Sequence, residues 1–280
     1  MKKNVRKVLR IILVVVFIIS TAMMLLQWLD NSGGEEAYHD ALNIAMQEKP
    51  QETPAAPQPT EAQIEATEPP AEPVTYWVPV PVEGDPVMEE MAGINIAALK
   101  EENEDVLGWI RIPDTKIDYP LMQGEDNEFY LKHTWQKERN SVGSIFLEHL
   151  NSPDLTDFNS IVYGHNMRND SMFGQLDGFS IPDFWKTHPY VYIALESGVY
   201  RYEVFAFFQP PVDSVTYSVN PRQDHTKREF LDFTRENNWL DTGIEPLITD
   251  RILTLSTCTC RGYSNRNVVQ ARLPMMEVTE

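Results

Sequence analysis

Nineteen consecutive residues without a charge, Ile11 to Leu29, constrain this chain more than any other feature. Only Ser20, Thr21 and Gln27 interrupt its apolar character. Coiled as a helix, a stretch of this length spans a hydrocarbon core of ~30 Å. Lys2, Lys3, Arg6, Lys7 and Arg10 precede it and Asp30, Glu35 and Glu36 follow. The positive-inside bias therefore puts residues 1–10 in the cytoplasm and everything beyond Leu29 outside. A cleaved signal peptide is the competing reading, but its apolar region is usually only about 7–15 residues long and ends at a small-x-small site. No such site follows here. The expectation is a single-pass anchor over 11–29.

The composition changes beyond the anchor. From Asp30 to Thr75 there are ten acidic residues, one lysine (Lys49) and repeated Pro, Ala, Glu, Gln and Thr. Such a segment lacks the apolar surface for a core. Clustered prolines stiffen it and like charges extend it, so residues 30–87 read as an acidic spacer that holds a domain away from the membrane, with room for short helical turns around 37–47.

The net charge of −19 comes from 42 acidic and 23 basic residues, and residues 76–280 keep 32 acids against 17 cations. A partner bound through its phosphate backbone, such as nucleic acid, is excluded on that balance. The acidity suits solubility, or a neutral or cationic substrate. With only two cysteines, Cys258 and Cys260, the chain is neither a disulfide scaffold nor the holder of a four-cysteine zinc.

The folded region is expected over 88–280. Helical spacing of Met91, Ile94, Ile96, Ala98 and Leu99 predicts an amphipathic helix over 89–104. Eight short apolar runs follow, at 108–112, 116–122, 144–147, 160–163, 190–195, 200–208, 251–257 and 267–273. They are rich in Val, Ile, Tyr and Phe and several alternate apolar with polar, which favours a mainly antiparallel β-barrel or sandwich. Between the sixth and seventh runs, Phe230, Leu231 and Phe233 give 226–238 a helical pattern.

Chemistry enters with Cys258, at the end of the apolar run Ile252–Thr257. A Cys-x-Cys bridge closes a very small, strained ring, so a permanent disulfide with Cys260 is disfavoured. A buried structural thiol is one reading of Cys258 and a nucleophile is the other. A nucleophilic thiol needs a base. Of six histidines, His39 lies in the spacer, His188 precedes Pro189, and His133, His149 and His225 sit in polar stretches. His165 differs, because it follows the run Ser160–Tyr163 directly, after Gly164, where strand ends gather residues distant in sequence. Arg266, at the opening of the last run, is spaced to lie beside Cys258 if the two runs pair antiparallel, and a guanidinium there suits the oxygen of a tetrahedral intermediate. Arg261 competes for that role. No second histidine or carboxylate completes a metal site with His165 and the cysteines, and no cofactor is implied.

These residues carry a resemblance. Thr254-Leu255-Ser256-Thr257-Cys258 followed by Arg266, with Tyr163-Gly164-His165-Asn166-Met167, resembles the sortases, and within them class B. It extends through Gly108-Trp109-Ile110, Ile117-Asp118-Tyr119-Pro120, Asp126-Asn127, Tyr130-Leu131, Gly143-Ser144-Ile145-Phe146-Leu147 and Met172-Phe173-Gly174.

The resemblance implies an eight-stranded barrel with an N-terminal helical segment and a helix in the crossover before the cysteine strand. It implies a membrane-anchored cysteine transpeptidase, with Cys258 as nucleophile, His165 as general acid and base, and Arg266 holding the oxyanion and orienting the substrate. Its substrates would be secreted proteins bearing a C-terminal sorting motif cleaved after Thr, and the acceptor a peptidoglycan amine. Asn127, Leu131, Ser256 and Tyr217 occupy positions resembling those that contact the sorting peptide. Cys260 departs from the acidic or aromatic residue often found there, which raises a reversible bridge to Cys258. Two other classes would share parts of this pattern: a papain-type hydrolase, whose cysteine opens a helix, and a non-catalytic surface scaffold, which has no use for Cys258, His165 and Arg266 together.

Overall fold

The computed structural model describes residues 2–47, 75–259 and 262–279. Its first element, α1 (Lys2–Ala45), is one continuous helix. The side chains of the apolar stretch that are described are all exposed, and the helix is long and apolar enough to cross a membrane by length and composition.

The second half of α1 departs from the acidic spacer expected from Asp30 onward. Ala37, Ala41 and Ala45 recur every four residues, with Tyr38 beside them, and all four are buried against the rest of the molecule. Small residues let the helix axis come close. At Gly34 even a methyl group would lie 2.8 Å from the Val142 side chain. Trp135 Nε1 donates to the Ala37 carbonyl at 2.7 Å, and the Tyr38 ring meets Tyr119 edge to face at 5.2 Å. The Asn140 amide donates to the Asp30 carbonyl at 2.8 Å and Asn169 to Glu35 at 2.9 Å. A stripe of alanines that looks unable to bury a core alone is thus enough to dock on one already built. The remainder of the expected spacer, 48–74, lies outside the described residues.

The described residues resume at Thr75, ahead of the expected start at Met88. Strand β1 (Thr75–Pro79) pairs antiparallel with the last strand, β10 (Met275–Thr279), as a ribbon apart from the barrel. The single helix expected over 89–104 is two: α2 (Pro86–Met91) and α3 (Ile96–Glu102). The chain between them contains Gly93, a poor helix former, and Asn95, whose carboxamide oxygen caps α3 by accepting from Ala98 N at 3.1 Å.

The eight expected strands are all present: β2 (Val106–Arg111), β3 (Asp118–Met122), β4 (Ile145–Leu147), β5 (Asn159–Tyr163), β6 (Tyr190–Leu195), β7 (Gly198–Phe208), β8 (Arg251–Thr259) and β9 (Gly262–Leu273). They close into a barrel in the order β2-β3-β4-β5-β8-β9-β7-β6. The barrel is mixed, because β3 pairs with β4 and β5 with β8 in parallel. A short helix, α4 (Phe184–Thr187), precedes β6.

Alternation along the strands sorts their side chains. Leu253 and Leu255 of β8, with Val269 and Ala271 of β9, belong to the main apolar core. Ile252 and Val268, on the other face, join a second cluster with Phe158, Phe205, Phe208 and with Phe230 and Leu231 of α5 (Asp224–Asn237), the crossover helix. Helix α5 therefore covers the outside of the barrel, and the first face is its interior. A buried polar chain crosses the outer layer. Thr234 donates to Gln270 at 2.8 Å, Gln270 to Thr254 at 3.0 Å and Thr254 to Asn159 at 2.7 Å. Asn159 then donates to the carbonyls of Thr216 and Ser218 at 3.1 and 3.0 Å, which fixes the 3-10 turn Val215–Tyr217 over the sheet.

Candidate active site

Three adjacent strands end or begin at one rim. In the parallel β5–β8 ladder Tyr163 is level with Ser256, and Gly164 N still donates to the Ser256 carbonyl at 3.3 Å. Two residues further along each chain stand His165 and Cys258. In the antiparallel β8–β9 ladder Cys258 is paired with Arg266, and a bulge follows between Cys258 and Thr259. His165, two residues past the end of β5, therefore stands at the same rim as the Cys258–Arg266 pair of β8 and β9, although 101 sequence positions separate it from Arg266. The pairing of the last two runs expected for Arg266 is the one observed. Cys260 and Arg261, the proposed bridging partner and the competing arginine, lie outside the described residues.

The histidine is held from its far side. His165 Nε2 is 2.7 Å from the carbonyl oxygen of Leu131, in the 3-10 turn Phe129–Leu131. A carbonyl only accepts, so Nε2 carries the hydrogen and, in the neutral ring, Nδ1 is the bare nitrogen. The turn is pinned in place. Ser144 N donates to the Tyr130 carbonyl at 2.8 Å, and Gly143 packs so closely that a Cβ would lie 2.7 Å from the Tyr130 oxygen, 2.9 Å from the Leu131 oxygen and 3.0 Å from the His165 ring. Gly143 also has φ of 63°, which a side chain disfavours. Tyr38 of α1 reaches this same spot, donating to the Gly143 carbonyl and lying 3.0 Å from Ser144 Oγ.

The other expected contact residues line the row. Ser256, almost fully buried, shares a hydrogen bond of 2.9 Å with the hydroxyl of half-buried Tyr217. Leu131 is half-buried, packs against the main apolar core and supplies its carbonyl to His165. Asn127 is further off, joined to the row through a residue that sequence reasoning missed. Glu148 is 6% exposed, and its Oε2 accepts from Asn127 Nδ2 at 2.6 Å and from Tyr163 Oη at 3.0 Å. Its Oε1 lies 2.7 Å from His149 Nδ1. The Asn127 oxygen accepts from His149 N at 3.0 Å, so both ends of that amide are oriented. Burial and the neighbouring Glu148 carboxylate push the Tyr163 phenol well above its ordinary range, with Arg266 opposing them. Tyr163 therefore stays a donor at any physiological pH.

Among the described residues no group of three or more His, Cys, Asp or Glu is arranged to hold a metal ion. The row instead offers a strand-end cysteine, an imidazole with a fixed tautomer and a guanidinium, the set that acyl transfer through a thioester requires.

Comparison with known proteins agrees with this class. A profile of the sortase domain matches residues 110–274. Sortase B of Listeria monocytogenes is 36% identical over 179 residues, which cover 62% of this chain and 72% of that protein. Among solved structures, sortase B from B. anthracis in complex with AAEK1 superposes with a TM-score of 0.65 at 25% identity, covering 88% of this chain and 98% of that one. A Staphylococcus aureus sortase B–substrate complex gives 0.60 at 28% identity, covering 65% and 85%. The chain belongs to the sortase family, the cysteine transpeptidases of the cell wall. These relatives are sortase B proteins, and the class is B.

Proposed function

We propose that this enzyme cleaves a C-terminal sorting motif after Thr and transfers the protein to a peptidoglycan amine, with Cys258, His165 and Arg266 as its catalytic residues. The observation that supports this reading is the row in which His165, just past the end of β5, stands at the rim beside the paired Cys258 and Arg266 of β8 and β9. In the first half-reaction the Cys258 sulfur adds to the Thr carbonyl, the C–N bond after Thr breaks, and the leaving amine takes a proton from His165. In the second, an incoming amine adds to the thioester, gives its proton to His165 and displaces the sulfur. Arg266 donates to the oxyanion in both. The hydrogen bond from Nε2 to the Leu131 carbonyl leaves Nδ1 as the proton carrier.

The peptide lies along Asn127, Leu131, Ser256 and Tyr217. Residues 11–29 span the membrane with 1–10 in the cytoplasm and the barrel outside, where the partners are secreted proteins carrying the motif and the cell-wall amine. Mass spectrometry of the full chain in detergent with a panel of sorting-motif peptides, with and without a triglycine amine, tests the reading. Cleavage after Thr with a ligated product only when amine is present supports it. Cleavage to the free acid alone, unchanged by amine, makes the enzyme a hydrolase. Activity surviving in Cys258→Ala overturns the assignment of the nucleophile.

A further inference from the structure

Beneath the row of reactive residues, on the opposite side of the sheet, one carboxylate binds two of the three strand positions together. The 3-10 run Gly174–Ser180 carries Leu176 and Phe179 into the core and presents half-buried Asp177 between them. The Asp177 carboxylate accepts from Asn166 Nδ2 at 3.1 Å (Oδ1) and 3.2 Å (Oδ2), and Oδ1 also accepts from Asn267 Nδ2. Asn166 immediately follows His165, and Asn267 immediately follows Arg266. Asn267 is also paired in the ladder with Thr257, the residue before Cys258.

The chemistry of this knot is specific. Asn267 is 3% exposed, and its own carbonyl is already used by Gln209 Nε2 at 2.7 Å, so its orientation is settled and its amide hydrogens must find an acceptor. Both groups that reach Asp177 are donors. A carboxylate accepts on both oxygens: Oδ1 takes both amides and Oδ2 takes Asn166 as well, and hydrogen bonds to a carboxylate are stronger than those between neutral groups. The strands in question, β5 and β9, are not neighbours: β8 runs between them. The barrel ladder alone relates His165 to Arg266 through two successive pairings, and both loosen here, because β5 ends at Tyr163 and β8 has a bulge after Cys258. Asp177 supplies a direct tie where the ladder gives out.

We propose that Asp177 is a positioning residue that sets the placement of His165 relative to Arg266 across Cys258, acting through Asn166 and Asn267 and touching neither substrate nor thiol. The proposal rests on the catalytic reading above. A displacement of about 1 Å between acid–base group and oxyanion donor lowers the chemical step by up to ~10²-fold with little change in peptide affinity.

The test compares wild type, Asp177→Ala, Asp177→Asn, Asn166→Ala and the double variant Asp177→Ala/Asn166→Ala as full chains in detergent. Ser180→Ala, at the end of the same turn where its hydroxyl meets the Asp177 carbonyl, controls for local structure. Steady-state cleavage of a sorting-motif peptide gives kcat and KM. Peptide-mapped alkylation of Cys258 by iodoacetamide across pH reads the cysteine–histidine pair without any substrate. The expected result is a kcat lowered tenfold or more in both Asp177 variants, with KM within twofold and the alkylation pH profile displaced, while Ser180→Ala matches wild type. The double variant should be no worse than the poorer single, because the two residues form one link. An Asp177→Ala protein that folds and keeps kcat and the alkylation profile within twofold of wild type overturns the proposal. So does a loss shared equally by Ser180→Ala. If wild type itself turns over no peptide, the catalytic reading fails separately, and the alkylation profile alone decides whether Asp177 places the histidine.

Discussion

The two faces of β8 and β9 differ in kind, though they share one backbone. Inward, Leu253, Leu255, Val269 and Ala271 are fully buried and apolar. Outward, the same strands run from Ile252 and Val268 under α5, through the polar pair Thr254 and Gln270, to Ser256, and the backbone pairing of Cys258 with Arg266 follows at the rim. A strand with period two keeps these requirements apart, so the chemistry can vary on one face while the other holds the barrel closed. The separation is also testable, because substitutions on the two faces should fail in different measurements.

The largest effect belongs to the outer face. Cys258→Ala is expected to abolish transfer in the peptide assay while the thermal midpoint stays within a few degrees of wild type. Next comes Arg266→Lys, which keeps the charge and loses the planar fork; kcat should fall by roughly 10²–10³, the cost of an oxyanion donor. The inner face should behave the other way. Leu255→Ala is expected to cost about 2–5 kcal/mol in denaturant unfolding, with the surviving folded enzyme retaining its kcat. A Leu255→Ala protein of unchanged stability and poor kcat would erase the distinction between the faces.

Three smaller effects sharpen it. Glu148→Gln replaces an acceptor of two donors by an amide that satisfies only part of them, so KM for the peptide should rise severalfold with kcat within about threefold. The pH dependence is informative as well. Burial and Glu148 raise the Tyr163 phenol, so its neutral form is favoured in the folded state. The stability that this contributes is fully present below pH ~10, the usual phenol value, and is lost as pH rises above it. Alkaline unfolding should therefore begin at higher pH in Tyr163→Phe than in wild type, as followed by circular dichroism. Tyr217→Phe, which removes one half-buried bond to Ser256, should change KM by no more than about threefold.

The eight strands were legible because each holds an apolar run bounded by turn residues, and His165, Cys258 and Arg266 stood out as candidates because each sits at the edge of such a run. What escaped is nonlocal. The parallel joints β3–β4 and β5–β8 depend on which strands meet, and alternation along one strand carries no record of its neighbour. Glu148 and Asp177 are acids among many acids, and only the folded chain shows that each faces two donors. The second half of α1 was read as spacer because its charged and small residues advertise no core. The signal was present in the four-residue recurrence of Ala37, Ala41 and Ala45, which has meaning only against a surface that the rest of the chain must first build.

That docked helix has a consequence for how the enzyme meets its substrates. Helix α1 runs without a break from the apolar stretch into its contact with the barrel, and the first tie, Asp30 to Asn140 and Ser141, comes one residue after Leu29. With 11–29 in the bilayer, the barrel is mounted on a bracket. The sixteen residues from Asp30 to Ala45 rise only about 24 Å at 1.5 Å per residue, and the Tyr38 bond to Gly143 lies halfway along them. On the function proposed above, the row of His165, Cys258 and Arg266 is then held at one height above the lipid, and a search through the volume of the wall becomes a search in a plane.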